Sequence, residues 1–424
     1  MNHRKGVGRA RWTRAKALVF ATLILPACTP AGSAPAATDP PPTTLRSAAS
    51  STTASSGSNA LPGQAGRLVI LDDVGRVVVV DPDGTDALPL SSPDDGFTYF
   101  QPIWSPDGNL IAAGVAGSEG AGLALIDPTN AESTVVPAAS APFYAYWSPD
   151  GRRIAFLNTG PLAGFDMTVH DTTSDETLLF GRGSPYYFSW APDGESIATH
   201  VDVDTMDIRT LDGSVRSLAA PGLFQAPHWT EAGLVHIGAS PSGDQVLLTA
   251  DDTRGLGLVS GRVFFTANRR GTRIALATIS EQDGVAVLAQ PAPLLPANRL
   301  LVLDVVTGEW DIVSSDPLGA FFWSPAGDRL LVIGAGETEG TLLWSVWDDE
   351  LISFEPFEPW PGFVFEFLPF FDQYAQSMTL WAPDGSAFAY PAVVNGQPGI
   401  WTQDVAGGPS VRIADGTWVS WSSG

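Results

Sequence analysis

Only one of the 424 residues is cysteine, and no lysine occurs beyond Lys16. A lone cysteine forms no internal disulfide and builds no cysteine-based metal site. Without lysine in the body of the chain, Schiff-base chemistry and P-loop phosphate binding each lose the residue they depend on. Basic residues are scarce altogether: 22 Lys and Arg face 46 Asp and Glu, for a formal charge of −24. A surface this acidic repels nucleic acid and anionic lipid head groups, which removes both as partners. Long helical stretches of Leu, Ala, Glu and Lys are missing too, while Gly (44), Pro (35) and Trp (14) are plentiful. That balance favours many short strands joined by tight turns.

The few basic residues are unevenly spread. Arg4, Lys5, Arg9, Arg11, Arg14 and Lys16 precede an apolar run from Ala17 to Leu25, and residues 1–27 contain no acid. The run is too short for a permanent membrane helix and reads as the core of a signal peptide. It ends in Leu25-Pro26-Ala27-Cys28, which resembles the bacterial lipobox. The resemblance implies cleavage after residue 27, a lipid on Cys28, and an exported protein anchored outside the cytoplasm. Inner and outer membrane are not distinguished. Residues 28–65 are rich in Ser, Thr, Ala and Pro without apolar periodicity, and are expected to form a disordered tether.

From Gly66 to Gly424 one phrase recurs: an aromatic-rich run, then Trp-Ser/Ala-Pro-Asp-Gly, then an alternating apolar strand. Copies begin at Trp104, Trp147, Trp190, Trp323 and Trp381, with degenerate ones at Trp229 and Ala267 and a truncated one at Trp421. Their spacings are 43, 43, 39, 38, 56, 58 and 40 residues, a period near that of a propeller blade. Within the phrase, Pro presets φ, Asp suits the second turn position, and Gly takes the left-handed conformation that closes a hairpin. Each unit reads as four strands, a to d from the centre outward. Residues 67–90 supply b, c and d strands without an a strand, and the C-terminal TWVSW supplies an a strand with nothing after it. Together they complete one blade and remove open sheet edges. The expected fold is therefore an all-β propeller over 66–424 with eight four-stranded blades, or seven if residues 229–266 are not a full unit.

These motifs resemble the TolB-type, WD40-like propeller repeat over about 66–424. The resemblance is informative for fold and weak for function, because such blades serve translocation-system proteins, peptidase gating domains and lyases.

Loop geometry puts the SPDG turns and c–d loops on one face and the b–c and d–a loops on the other, at the mouth of a central channel. Aromatic residues enter the a strands there: Tyr99, Phe100, Phe143, Tyr144, Tyr186, Tyr187, Phe224, Phe264, Phe321 and Trp418. They are candidate ligand contacts, or simply channel wall. Two insertions belong to the same face, a Pro-rich b–c insertion at Gln290–Asn298 and a d–a insertion at Pro359–Gln376. The second carries Trp360, Phe363, Phe365, Phe367, Phe370, Phe371 and Tyr374, and reads equally as a buried lid or a partner-docking site. Acids in the b–c loops, Glu119, Asp166, Asp202, Asp204, Glu337 and Glu339, read as solvated loop charges of an acidic protein, or as part of a site that would favour a neutral or cationic ligand.

Catalytic signals are thin. His228 and His236 are the only metal candidates, on the thought that they face one another across a hairpin, and no HxH or HExxH spacing supports them. Oligogalacturonate lyases use related blades with histidine-held manganese, so a metal-dependent glycan lyase or hydrolase is the alternative reading. No nucleophile elbow is present, and Asp81-Pro82-Asp83-Gly84 reads as a turn rather than a calcium loop. The leading expectation is a non-enzymatic envelope module without a cofactor that binds a protein, peptide or glycan. A purely structural role in an envelope complex is the third reading.

Overall fold

The computed structural model describes residues 66–218, 224–239, 245–249, 255–259, 261–279, 298–315 and 318–423. Cys28, the signal segment, the tether and residues 290–297 of the Pro-rich insertion lie outside the described residues.

Eight four-stranded antiparallel sheets are present. Blade 1 runs from Phe97 to Ala138, blade 2 from Tyr144 to Gly183, blade 3 from Tyr186 to Ser217 and blade 4 from His228 to Val259. Blade 5 runs from Arg262 to Ser314, blade 6 from Leu318 to Ser353 and blade 7 from Glu358 to Ala414. The degenerate stretch after Trp229 is thus a complete blade, which fixes the number at eight. Blade 8 joins the two ends of the chain. Its inner strand, Trp418–Trp421, pairs with Leu68–Leu71, matching Leu68 to Trp421 and Ile70 to Val419. Val77–Val80 and Leu88–Pro89 complete it outward.

The repeated phrase explains how neighbouring blades adhere. In blade 1 the Ser105 hydroxyl donates to Asp107 Oδ1 at 2.6 Å, and the Gly108 N–H closes the turn onto the Ser105 carbonyl at 2.9 Å. Gly108, Gly151, Gly194 and Gly385 all have φ near +70°, where a side chain is disfavoured. In blades 3, 6 and 7 the tryptophan opening the phrase crosses to the preceding blade. Trp190 Nε1 donates to the Tyr146 carbonyl, Trp323 Nε1 to that of Thr266, and Trp381 Nε1 to that of Phe322. Arginines on the following strand reach the other way. Arg153 donates to the Gly194 carbonyl at 2.9 Å, Arg273 to that of Asp328 and Arg329 to that of Gly385, both at 3.3 Å. One recurring hairpin therefore builds a blade and ties it to both neighbours.

Candidate functional site

The aromatic insertion does not link blade 6 to blade 7. It interrupts the inner strand of blade 7. Glu358–Pro359 pairs with the far end of the second strand, at Val393 and Ala392, whereas Trp381 bridges to Phe388 near its start. Between those halves the chain leaves the sheet and coils inward. It runs through a π-helical turn (Phe363–Phe367), a 3-10 turn (Leu368–Phe370) and one α-helical turn (Phe371–Tyr374).

That coil reaches across the ring. Blade 3 lies opposite blade 7, and Gln373 treats its inner strand as a partner. Gln373 Nε2 donates to the Phe188 carbonyl at 2.7 Å, and its Oε1 accepts the Phe188 N–H at 2.9 Å. Nε2 also donates to the Tyr144 hydroxyl, which donates back to the Gln373 carbonyl at 3.0 Å. Gln376 accepts the Ser189 hydroxyl at 2.6 Å and donates to the Pro227 carbonyl at 3.1 Å. The Tyr374 hydroxyl sits 3.0 Å from Gln101 Oε1 and 2.9 Å from the Phe143 carbonyl. Inner strands have a free edge facing the channel, and unpaired backbone groups there are costly away from water. The polar side chains of the coil satisfy several of them.

Its apolar side chains fill the remaining space. Phe371 meets Phe264, Phe321 and Phe322; Phe367 stacks on Phe363 and Phe322 and meets Trp418. The segment is a plug. Of its seven aromatic residues, Phe363, Phe367, Phe371 and Tyr374 are buried and Trp360 is half-buried. Those five are thus core rather than an external docking patch, because their rings close the channel they stand in. Only Phe365 (60% exposed) and Phe370 (46%) present their rings to solvent.

The inner-strand aromatics divide in the same way. Tyr99, Tyr144, Tyr186 and Phe321 are buried, so as ligand contacts they are closed off. Tyr187 and Phe224 stack on each other with centroids 4.7 Å apart. Phe264 carries the Arg262 guanidinium 5.4 Å above its ring, and Trp418 is half-buried with its Nε1 on the Pro102 carbonyl. Phe100 and Phe143 remain exposed.

The two candidate histidines are not brought together. His228 pairs with Val235, so His236, one residue along, points to the opposite face of the sheet. The two do not face one another. His228 Nε2–H donates to the Asp372 carbonyl of the plug at 2.8 Å, and Nδ1 is turned to the Ala267 N–H at 3.5 Å. Both ring nitrogens are engaged. Burial lowers the His228 pKa to about 4, so the ring is neutral. The carboxyl of Asp372, beside it, is pushed up to about 6 by burial, although it accepts the Ala226 and Gln373 N–H groups. No group of three potential metal-ligand side chains converges among the described residues.

Exposed apolar side chains are distributed unequally between the faces. Apart from those on the outer strands, Val74, Phe100, Phe143, Leu162, Val203 and Ile279 lie towards the mouth, with Phe365 and Phe370 on the plug seated in it. Among the described residues Val306 is the only large aliphatic or aromatic side chain exposed on the turn face. Val203 is held at φ +62°, a conformation unfavourable to a β-branched residue, and its side chain is 55% exposed. Acids accompany them. Glu119, Asp202, Asp204, Glu337 and Glu339 are exposed in the b–c loops, whereas Asp166 is paired with Arg182 at 2.8 Å. The polar plug residues Asp372, Gln373 and Gln376 went unrecognised in the sequence. The only sign of them was the switch from apolar to polar residues after Phe371.

No family model and no curated protein matches the chain. Solved structures match it in fold. Dihydro-heme d1 dehydrogenase NirN, in complex with DHE, is similar at 14% identity and a TM-score of 0.54, over 87% of this chain and 78% of that one. TolB from Acinetobacter baumannii is similar at 17% identity and 0.38, over 70% and 67%. The β-propeller domain of the Trilobed protease from Pyrococcus furiosus is similar at 14% and 0.47, over 76% and 97%. At 14% identity the likeness to NirN is one of fold alone.

Proposed function

We propose that the protein is a non-enzymatic binding module of the cell envelope, tethered through a lipid on Cys28, whose mouth face seats a polypeptide partner. The observation that carries this reading is the one-sided display of apolar side chains. Exposed apolar groups gathered on one face, interleaved with charge, are the usual mark of an interaction surface. The plug supports it in a second way. By filling the channel, it turns a ring with a hole into a closed, rigid platform, and rigid platforms lose little entropy on binding.

The test combines crosslinking in the native envelope with variants of exposed residues on the mouth face. The double variant Leu162→Ser, Phe370→Ser should stay folded and lose no more than about 1–2 kcal/mol, since Leu162 is mostly solvated and Phe370 is about half exposed. It should lose the crosslinked partner band. Unchanged crosslinking would sink the reading. In the same preparation Cys28→Ser should move the protein out of the membrane pellet, and retention there would remove the anchor from the proposal.

A further inference from the structure

The mouth face contains an open cleft of about 420 Å³ between blade 6 and the plug. One wall is the b–c turn Thr338–Thr341. It is firmly closed, with the Thr341 N–H and hydroxyl both donating to the Thr338 carbonyl, at 3.1 and 2.7 Å, and the Gly336 N–H donating to Thr341. The other wall is Pro359, Pro361, Val364 and Phe365, where the plug leaves the inner strand. Two carboxylates, Glu339 and Glu358, line the space. Both are exposed, and among the described residues neither meets an arginine or a hydrogen-bond donor. Elsewhere many of the acids are occupied: Asp166 by Arg182, Asp171 by Arg152 and Arg153, Asp81 by Arg67. Among the described residues no basic side chain lines the cleft.

From this geometry we infer that the cleft takes an arginine side chain from an extended segment of the partner. The inference rests on the mouth face being the binding face, and it names what that face recognises. The volume is that of a small-ligand pocket, suited to one or two side chains and too small for a folded element. Arginine fits each wall in turn. Its planar guanidinium donates to carboxylates in a fork and lies flat on an aromatic ring such as Phe365. Its methylene stem covers proline and valine. A compact metal ion would leave the apolar wall unused, and an acidic peptide would be repelled by both carboxylates.

The probe is a fluorescein-labelled, amidated pentapeptide, Gly-Phe-Arg-Phe-Gly, with versions carrying citrulline or glutamate in place of arginine. Binding is followed by anisotropy on the purified propeller-containing protein. Loss of the single charge in citrulline should weaken binding about tenfold, and so should the double variant Glu339→Gln, Glu358→Gln. Phe365→Ala should weaken it several-fold, and added salt should weaken the wild type more than the double variant. Equal binding of the arginine and citrulline peptides would overturn the inference. So would an unchanged affinity in the double variant, or full competition by calcium or spermidine at the peptide's own concentration. Thermal unfolding of the variants should match wild type, because the substituted side chains are exposed. The two readings fail separately. If crosslinking is lost in Leu162→Ser, Phe370→Ser but survives in the glutamine double variant, the cleft assignment falls and the binding face stands. If the peptide behaves as expected while crosslinking ignores the face variant, the binding face falls instead.

Discussion

The two faces of the ring are built on opposite rules. On the turn face blades 1 to 7 follow one plan: a left-handed glycine closes the hairpin, with an acidic turn residue in most and a serine or threonine hydroxyl in blades 1, 2, 4 and 6, and in several an arginine or tryptophan ties it to a neighbour. On the mouth face the described loops differ from blade to blade. One is interrupted by the plug, another exposes Leu162, another strains Val203, and another forms the turn of the acidic cleft. Repetition on one side secures the scaffold, and departure from it on the other creates individual surfaces. A repeat fold displays function where its units differ, because identical loops offer a partner eight equivalent and unspecific places to land.

The sharpest way to break this contrast is to attack the plug, which belongs to the irregular face yet is built like a core. Phe367→Ala removes a fully buried ring packed on Phe363, Phe322 and Tyr374. It should cost about 3–5 kcal/mol in urea unfolding, as core phenylalanines do. A loss under about 1 kcal/mol would mean that the plug is an accessory to the ring rather than part of its core.

Next in size is a pH effect at the join of plug and blade 4. Asp372 has its pKa raised to about 6, so its contribution is fully present below the ordinary carboxyl value and is lost as pH rises through 6. His228 has its pKa lowered to about 4, so its contribution is present above 6.5 and is lost as pH falls towards 4. Between pH 4 and 6 the two slopes oppose each other. In wild type the stability should therefore be nearly flat across that range. Asp372→Asn should uncover the histidine, with stability rising from pH 4 to 6.5 by on the order of 2 kcal/mol. His228→Gln should show the reverse slope. Parallel profiles for the three proteins would show that neither group titrates against the fold.

The smallest effect sharpens the comparison from the regular side. Gly194→Ala places a Cβ at φ +68°, with its nearest neighbour, the Asp150 carboxylate of blade 2, at 3.4 Å. There is room for the methyl group, so the cost is that of the left-handed backbone, about 1–2 kcal/mol in thermal unfolding. Partner crosslinking should be untouched. If Gly194→Ala weakened crosslinking while Leu162→Ser, Phe370→Ser did not, the roles assigned to the faces would be reversed.

Much of the architecture was legible in the residues. Phrases spaced about forty residues apart gave the blades, and b–c–d strands at one end with a lone a strand at the other gave the closure of Leu68–Leu71 on Trp418–Trp421. The degenerate stretch after Trp229 was ambiguous because its turn lost Pro and Asp, although its strand periodicity survived. The candidate site was less legible. Tyr144, Phe321 and Phe371 have the same composition whether they line an open mouth or pack in a core. The pairing of His228 with His236 failed by one residue of register, which is enough to put a side chain through the sheet.

What the sequence determined alone is local: where hairpins close, where strands alternate, and which end must meet which, since each follows from residues within a few positions of one another. What tertiary structure decided is the fate of the insertion. An eight-bladed ring leaves a channel edged by unpaired backbone groups and aromatic rings, and the nearest long segment able to offer both apolar bulk and amide side chains fills it. Nothing in Pro359–Gln376 fixes that outcome by itself. It depends on Phe188, Ser189 and Pro227, over 140 residues away in the chain and brought opposite by the closure of the ring.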